Sequence, residues 1–122
     1  MPRQFDKTHA VTVLAAAAIA ANRFVSYDGM HTAAAPASGV KDAQGVSEEA
    51  AAVGEAVSVI TGYSALVEAS AAIAVGAYVK PAADGSGKAA AGALADHCGR
   101  ALSAATAAGQ LVEVQITEHV HA

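Results

Sequence analysis

The clearest hydrophobic pattern in the chain is a strict alternation over residues 112–117. Val112, Val114 and Ile116 are apolar, whereas the residues between them and Thr117 are polar. Successive side chains of a strand point to opposite faces, so the pattern predicts a half-buried strand of an antiparallel sheet. Further strands are predicted over residues 11–14, 23–27, 30–34, 55–60, 63–68, 76–80, 88–90 and 98–102.

Turn-forming residues separate these runs. Asp28-Gly29 and Asp84-Gly85 are the commonest type of hairpin-turn pair. Glycine and asparagine tolerate a positive φ angle, and the positions predicted to serve structural turns are Asn22, Gly29, Gly54, Gly76, Gly85 and Gly109. Many short strands with turns between them indicate an all-β fold, either a small antiparallel barrel or a sandwich.

Two segments are ambiguous between helix and loop. Ala15 to Ala21 is rich in alanine, which favours helix, but it has neither a cap nor a charged face. We therefore predict a loop there. Ser47 to Ala50 is interpreted as the start of one helical turn, because Ser47 is a suitable N-cap residue.

Residues 19–25 and residues 73–79 match position by position, at an offset of 54 residues. Each stretch has a branched aliphatic residue, two small residues, Asn or Gly, one free position, an aromatic residue and valine. Chance similarity in an alanine-rich chain is the alternative, but glycine, asparagine, valine and aromatic positions carry the match. We therefore predict two similar halves, spanning about residues 11–60 and 65–116, because self-similarity along a sequence indicates a repeated structural unit.

Composition limits what one copy of the chain can bury. The chain has 122 residues, of which 35 are alanine and none is tryptophan. This length fits a single β domain, residues 10–122, after an extended N-terminal arm of residues 1–9. Alanine buries little surface, and burial contributes only about 25 cal/mol per Å². We therefore expect association with further copies or with a larger surface to supply much of the stability.

Charge and cysteine content argue against several classes of partner. The net charge is −4, and the seven Lys and Arg residues occur singly without a basic stripe, which argues against nucleic acid. The apolar segment from Val11 to Ala21 is too short to span a bilayer, so no membrane contact is expected. Cys98 is the single cysteine and has no partner for an internal disulfide.

Few residues suggest chemistry, and no enzyme, cofactor or metal is predicted. Asp96-His97-Cys98 places a thiol beside an imidazole, but His97 and Cys98 would point to opposite faces of an extended segment. His119 and His121 could share one face of a strand, yet no third metal ligand is evident. Swinging-arm carrier domains are small barrels of two similar halves with the modified lysine on a hairpin. Lys88 lies after Gly85-Ser86-Gly87, but it lacks the acidic or methionine neighbour of those domains.

Several structural segments carry a wider similarity. They are Arg23 to Gly29, Gly45-Val46 with Ala52 to Val59, Gly62 with Leu66 to Ala69, Ile73 to Val79, Asp84-Gly85, and Gly99 to Leu102 with Ala107 to Val114. In these segments, which span roughly residues 11–116, the chain resembles the small capsid decoration (cement) proteins of tailed bacteriophages. The resemblance implies a compact β-barrel or β-tulip-like sandwich that lacks catalytic residues.

The resemblance also implies a role and partners. Such proteins bind the outer surface of the phage head, bridge neighbouring major capsid subunits and stabilise the shell. They assemble as trimers or dimers at symmetry axes, and for this chain a trimer is favoured. The candidate capsid-contact residues lie in the arm and are Arg3, Gln4, Phe5 and Lys7. A small β-barrel binding or carrier module of cellular function, with Lys88 on its hairpin, is the alternative.

Overall fold

Every regular element that the structure describes is a β-strand. The structure is a computed structural model that describes residues 10–29, 32–34, 43, 45–82, 86–93 and 97–116. The strands are β1 (Ala10–Ala15), β2 (Phe24–Gly29), β3 (Thr32–Ala34), β4 (Gly45–Ser47), β5 (Ala56–Ile60), β6 (Ser64–Glu68), β7 (Tyr78–Pro81), β8 (Ala89–Ala91), β9 (Gly99–Ala101) and β10 (Leu111–Ile116). The predicted all-β fold is therefore confirmed.

The first five strands pair in a ring. Their order is β1-β3-β2-β4-β5, and β5 pairs back onto β1. The β1–β5 pairing is antiparallel and runs from Ala10 opposite Ile60 to Leu14 opposite Ala56. β1 and β3 pair in parallel over two residue pairs, so the ring is closed by a short contact. We call these strands the N-terminal unit.

The last five strands form a second sheet, here called the C-terminal unit. Their order is β6-β10-β9-β7-β8, and all four pairings are antiparallel. A single parallel bridge joins Ala69, directly after β6, to Ala89 at the start of β8. This bridge corresponds to the parallel pairing of β1 with β3. The fold is thus two similar five-stranded units in sequence, and the chain as a whole is not one closed barrel.

Equivalent pairs of backbone hydrogen bonds form within each unit, at positions 54 residues apart. Ile19 and Ala51 exchange two backbone hydrogen bonds, of 2.9 and 2.8 Å. Ile73 and Ala105 exchange the equivalent pair, of 2.8 and 2.9 Å. Tertiary pairing outside the strands therefore repeats together with the strand order, in agreement with the repeat seen in the sequence.

The unit cores are equivalent as well. The buried cluster of the N-terminal unit consists of Val13, Ala15, Ile19, Val25, Ala51, Val57 and Val59. Each member has a buried counterpart in the C-terminal cluster, namely Val67, Ala69, Ile73, Val79, Ala105, Val112 and Val114. Alternation along the strands produces both sets, because every second residue faces inward. Aliphatic side chains of modest size fill both cores.

The C-terminal core extends into the N-terminal unit. Phe24 and Val46 are buried, and both belong to the C-terminal cluster; Ala43 and Ile60 pack against it. Phe24 precedes Val25 on β2, so the two side chains point to opposite faces, one toward the other unit and one into its own. The junction between the units is therefore a continuous apolar contact.

The predicted turn residues fall at comparable places in the two units. The φ angles are 60° at Asn22, 83° at Gly76, 85° at Gly54 and 89° at Gly109, all in the left-handed region that glycine and asparagine tolerate. Gly29 lies in β2, where the pairing with β3 changes register. Gly85 lies outside the described residues.

One of the two ambiguous segments follows its prediction and the other does not. Beyond the end of β1 at Ala15, residues 16–21 are loop, with an isolated bridge at Ile19, as predicted. The helical turn expected from Ser47 to Ala50 is wrong, since Ser47 ends β4. Its hydroxyl donates a hydrogen bond of 2.7 Å to the carbonyl of Ala20, a tertiary contact that competes with helix capping.

Candidate functional site

A charge cluster lies where the two units meet. The Arg23 guanidinium and the Glu68 carboxylate approach to 3.2 Å, and the Lys88 ammonium lies 3.4 Å from the second Glu68 oxygen. Arg23 comes from the loop before β2, Glu68 ends β6, and Lys88 precedes β8. One carboxylate therefore links the N-terminal unit to two segments of the C-terminal unit. All three side chains are partly exposed, so each pair contributes modestly.

Backbone contacts around the charge cluster fix the same junction. Arg23 also donates a hydrogen bond of 3.0 Å to the Ser86 carbonyl, and the Phe24 amide donates one of 2.8 Å to the Gly87 carbonyl. A Cβ atom at Gly87 would lie 2.6 Å from the Phe24 carbonyl oxygen. The absence of a side chain at Gly87 thus permits the close approach of the two backbones.

The electrostatics of the cluster favour an ionised Glu68. Partial burial alone would raise the pKa of the Glu68 carboxyl, but the charges and hydrogen bonds of Arg23 and Lys88 outweigh it and hold the pKa below its ordinary value. Ionised Glu68 is therefore an attractive partner for both cations at neutral pH. The cluster acts as a polar clamp across the junction.

The position of Lys88 bears on the carrier interpretation. A swinging-arm lysine must be free to leave the protein surface, whereas the Lys88 ammonium is paired with Glu68 at 3.4 Å. Its pairing serves the contact between units. The structure thus gives Lys88 an alternative role, in the junction.

A second polar group in the C-terminal unit reaches the surface at Arg100. The rings of Tyr78 and His97 have centroids 4.5 Å apart and are tilted by 49°. The Arg100 guanidinium lies 5.2 Å from the Tyr78 ring centroid, and its Nη2 donates a hydrogen bond of 3.0 Å to the Gly76 carbonyl. The cation–π contact and the hydrogen bond hold Arg100 in one orientation, so Arg100 and the half-buried Tyr78 form a preorganised contact surface, whereas His97 is buried.

Exposed apolar side chains are the other feature of the described surface. They are Val11, Leu14, Val53, Tyr63, Val75, Leu102 and Leu111. Val75 and Leu102 flank a hydrogen bond of 2.7 Å from the Gly76 amide to the Ala101 carbonyl, close to Arg100. Exposed aliphatic and aromatic groups beside a fixed arginine are suited to contact with another protein surface.

The other residues singled out in the sequence are placed as follows. The candidate capsid-contact residues Arg3, Gln4, Phe5 and Lys7 lie outside the described residues, as do Asp96, His119 and His121. His97 and Cys98 are both buried. Among residues that the structure describes, no group of three or more His, Cys, Asp or Glu side chains could hold a metal ion. No helix in the described part of the chain is long and apolar enough to cross a membrane.

Sequence reasoning did not identify either polar group. Arg23, Glu68 and Lys88 are far apart in the chain, and no short motif connects them. For the surface group, the internal repeat contained a usable signal. Aligning the halves places Tyr78 opposite Phe24 and Arg100 opposite Val46, which marks one face as apolar in one unit and polar in the other.

The described structure thus consists of two similar all-β units joined by an apolar and charged junction, with Arg100 and several apolar side chains exposed. A model of the phage cement protein family matches residues 4–116, and the chain belongs to that family. The resemblance noted from the sequence is thereby confirmed, and the chain is a capsid-associated structural protein of a bacteriophage.

A solved structure shares the fold. The head fiber gp8.5 N base of bacteriophage phi29 matches with a TM-score of 0.73 and 21% sequence identity. The match covers 89% of this chain and 93% of the other. At this identity the likeness establishes the fold. No curated protein matches the chain.

Proposed function

We propose that this chain is a non-enzymatic capsid decoration protein that binds the outer surface of the phage head. The observation that carries the proposal is the family match over residues 4–116, supported by the fold shared with a phage head fiber base. The partner is the major capsid protein. The protein is made in the host cytoplasm and joins the virion at the outer face of the shell.

The mechanism is mechanical. A copy that contacts two neighbouring capsid subunits adds bridging interactions that must break before the subunits separate. These interactions offset the internal pressure of packaged DNA, which the protein itself does not touch. A net charge of −4 and scattered basic residues fit a protein that binds neither nucleic acid nor membrane.

Self-association is part of the proposal, with a trimer favoured over a dimer. Alanine supplies five of the thirteen members of the C-terminal cluster and two of the seven members of the N-terminal cluster, and it buries little surface per residue. A trimer also presents three capsid contacts at once, so weak individual contacts combine through high effective concentration. Symmetric association therefore supplies stability and avidity together.

The arm of residues 1–9 is the proposed anchor on the capsid, through Arg3, Gln4, Phe5 and Lys7. Phe5 supplies an apolar ring, and Arg3 and Lys7 supply positive charge in a chain that is acidic overall. Aromatic and arginine residues dominate the binding energy of many interfaces. The arm precedes β1, whose residues 10–12 are exposed.

Co-sedimentation with expanded, DNA-free capsids tests this function. The intact chain should reach saturating occupancy, and a chain lacking residues 2–9 should bind much more weakly while keeping its far-ultraviolet circular dichroism. A variant with Arg3 and Phe5 both replaced by alanine provides the finer comparison. Full occupancy by the shortened chain would exclude the arm as anchor. Failure of the intact chain to bind would contradict the decoration function, and a covalent mass increase on Lys88 would favour the carrier alternative.

A further inference from the structure

One face of the N-terminal unit is covered by the C-terminal unit. It consists of Phe24, Ala43, Val46 and Ile60, which pack against the C-terminal core, and we call it the docking face. Phe24 is 2% exposed and Val46 is 1% exposed. Both residues are buried by the neighbouring unit, because the core of their own unit is a separate cluster.

The C-terminal unit has the equivalent face. The repeat offset places Tyr78, His97, Arg100 and Gln115 at the positions of Phe24, Ala43, Val46 and Ile60, and we call this set the free face. Arg100 is exposed, and Tyr78 and Gln115 are half-buried. His97 is 8% exposed, with its Nδ1 3.2 Å from the Ala93 carbonyl, so Tyr78, Arg100 and Gln115 form the accessible part of this face. Within the described part of the chain, no third unit follows to cover this face.

The surface that receives the docking face also has an equivalent. In the C-terminal unit, this receiving surface includes Ala65 and Glu68. The Glu68 amide donates a hydrogen bond of 2.9 Å to the Asn22 carbonyl. The matching positions in the N-terminal unit are Val11 and Leu14. Ala65 is 7% exposed, whereas Val11 is 37% and Leu14 is 47% exposed. Val11 and Leu14 lie on opposite faces of β1, because they are three residues apart, and both are more exposed than their counterparts on β6.

We propose that the free face of one copy docks through its side chains onto the Val11–Leu14 surface of a second copy, at positions equivalent to the junction within the chain. The backbone hydrogen bond of that junction is not repeated, because the Gly76 carbonyl accepts a hydrogen bond from Arg100. This inference rests on the self-association part of the proposed function and names its surface. The contact is head-to-tail, because the two faces differ and lie on different units. Head-to-tail contacts build rings when their rotation closes, so a trimer formed this way is a ring of six five-stranded units.

The side chains at the proposed contact differ from those at the internal junction in a consistent way. Arg23 and Glu68, which form an ion pair in the junction, correspond to Ala77 and Leu14. An apolar pair thus replaces a charge pair. Next to this apolar pair, Tyr78 and Arg100 replace Phe24 and Val46. Their polar groups can be hydrated in the unassociated copy, which suits an interface that forms between separate molecules. Tyrosine and arginine are also enriched among residues that dominate binding.

The proposal is tested by introducing the charges of the Arg23–Glu68 pair at the equivalent positions, 77 and 14. Leu14→Glu places a lone carboxylate in the contact and should weaken self-association at least about tenfold in sedimentation velocity over a concentration series. Adding Ala77→Arg recreates the Arg23–Glu68 pair between copies and should restore most of the association. Leu14 is about half exposed, so Leu14→Glu should not alter the circular dichroism of the dilute protein. Ala77 packs against the C-terminal core, so Ala77→Arg alone serves as the folding control for the double variant.

The matched control is Val53→Glu. Val53 is exposed and apolar like Leu14, but its counterpart Ala108 remains exposed in the covered C-terminal unit, so position 53 lies outside the receiving surface. This variant should associate as the unmodified chain does. Equal weakening by both variants would overturn the proposal, because it would indicate a general effect of added charge.

Other results separate this surface from the proposed function. If the chain self-associates and Leu14→Glu has no effect, the surface is wrong while self-association stands. If the chain remains monomeric at every concentration yet coats capsids, contact between free copies is overturned while decoration stands. If Arg100→Glu lowers capsid occupancy but leaves self-association unchanged, the free face binds the capsid protein and the proposal fails.

Discussion

Phe24 and its repeat counterpart Tyr78 offer a direct test of the two-unit architecture. Phe24 is 2% exposed and its ring fills the junction between the units, whereas Tyr78 is half-buried on the free face. Replacing each by alanine removes an aromatic ring from the same position of the repeat. The two substitutions should therefore lower the free energy of unfolding by different amounts, because the C-terminal unit covers Phe24 whereas Tyr78 is only half-buried.

The magnitude follows from burial. Truncating a fully buried phenylalanine costs about 3–5 kcal/mol, a large part of the roughly 5–15 kcal/mol that stabilises a domain. Phe24→Ala should therefore lower the melting temperature by roughly 12–20 °C, at about 4 °C per kcal/mol for a chain of this size. Tyr78→Ala loses mainly the ring contacts with His97 and Arg100, which are worth about 1–2 kcal/mol together.

Urea unfolding monitored by far-ultraviolet circular dichroism measures both costs. The protein must be dilute enough to be monomeric, so that any contact through the free face does not contribute. The prediction is one cooperative transition, with a much lower midpoint for Phe24→Ala than for Tyr78→Ala. Equal losses for the two variants, or a loss below about 1.5 kcal/mol for Phe24→Ala, would refute the idea that Phe24 is buried by the other unit.

Two further predictions concern close packing and charge. Gly99→Ala places a Cβ atom 2.4 Å from the Gln115 carbonyl oxygen, so the backbone must shift and stability should fall by about 1–3 kcal/mol in urea unfolding; an unchanged midpoint would contradict this. Glu68→Gln should cost about 0.5–1 kcal/mol at pH 7, because solvent screens these partly exposed ion pairs. Since the folded pKa of Glu68 is lowered, its contribution is present above the ordinary value of 4.5 and is lost as the pH falls through the lower folded pKa. The stability difference between the unmodified chain and Glu68→Gln should therefore shrink on acidification, and a difference that stays constant would disprove the role of the charge.

Local patterns predicted the strands well. The alternation of Val112 and Val114 with polar neighbours predicted β10, and both valines are fully buried. Such alternation depends on the residues of the strand alone, so it can be seen without knowledge of the partners. Similarity between the halves likewise indicated equivalent turns, at Asn22 and at Gly76, and both have a positive φ angle.

Contacts between the units could not be predicted in the same way. Phe24 and Tyr78 occupy equivalent positions, and nothing near either residue shows which one is covered by a second unit. The expectation for Ser47 failed for a related reason, because a capping preference is local whereas its contact with Ala20 joins the end of β4 to the loop after β1. The partners of Glu68 come from segments 45 and 20 residues away, so no spacing rule identifies them.

The most direct test of the proposed function is a cryo-electron microscopy map of expanded capsids incubated with the purified protein. The prediction is density for paired five-stranded units on the outer surface, spanning the boundary between neighbouring major capsid subunits. The undecorated capsid provides the reference map. Density confined to one subunit, density on the inner surface, or maps indistinguishable from the undecorated capsid would contradict the proposal that this chain stabilises the shell by bridging its subunits.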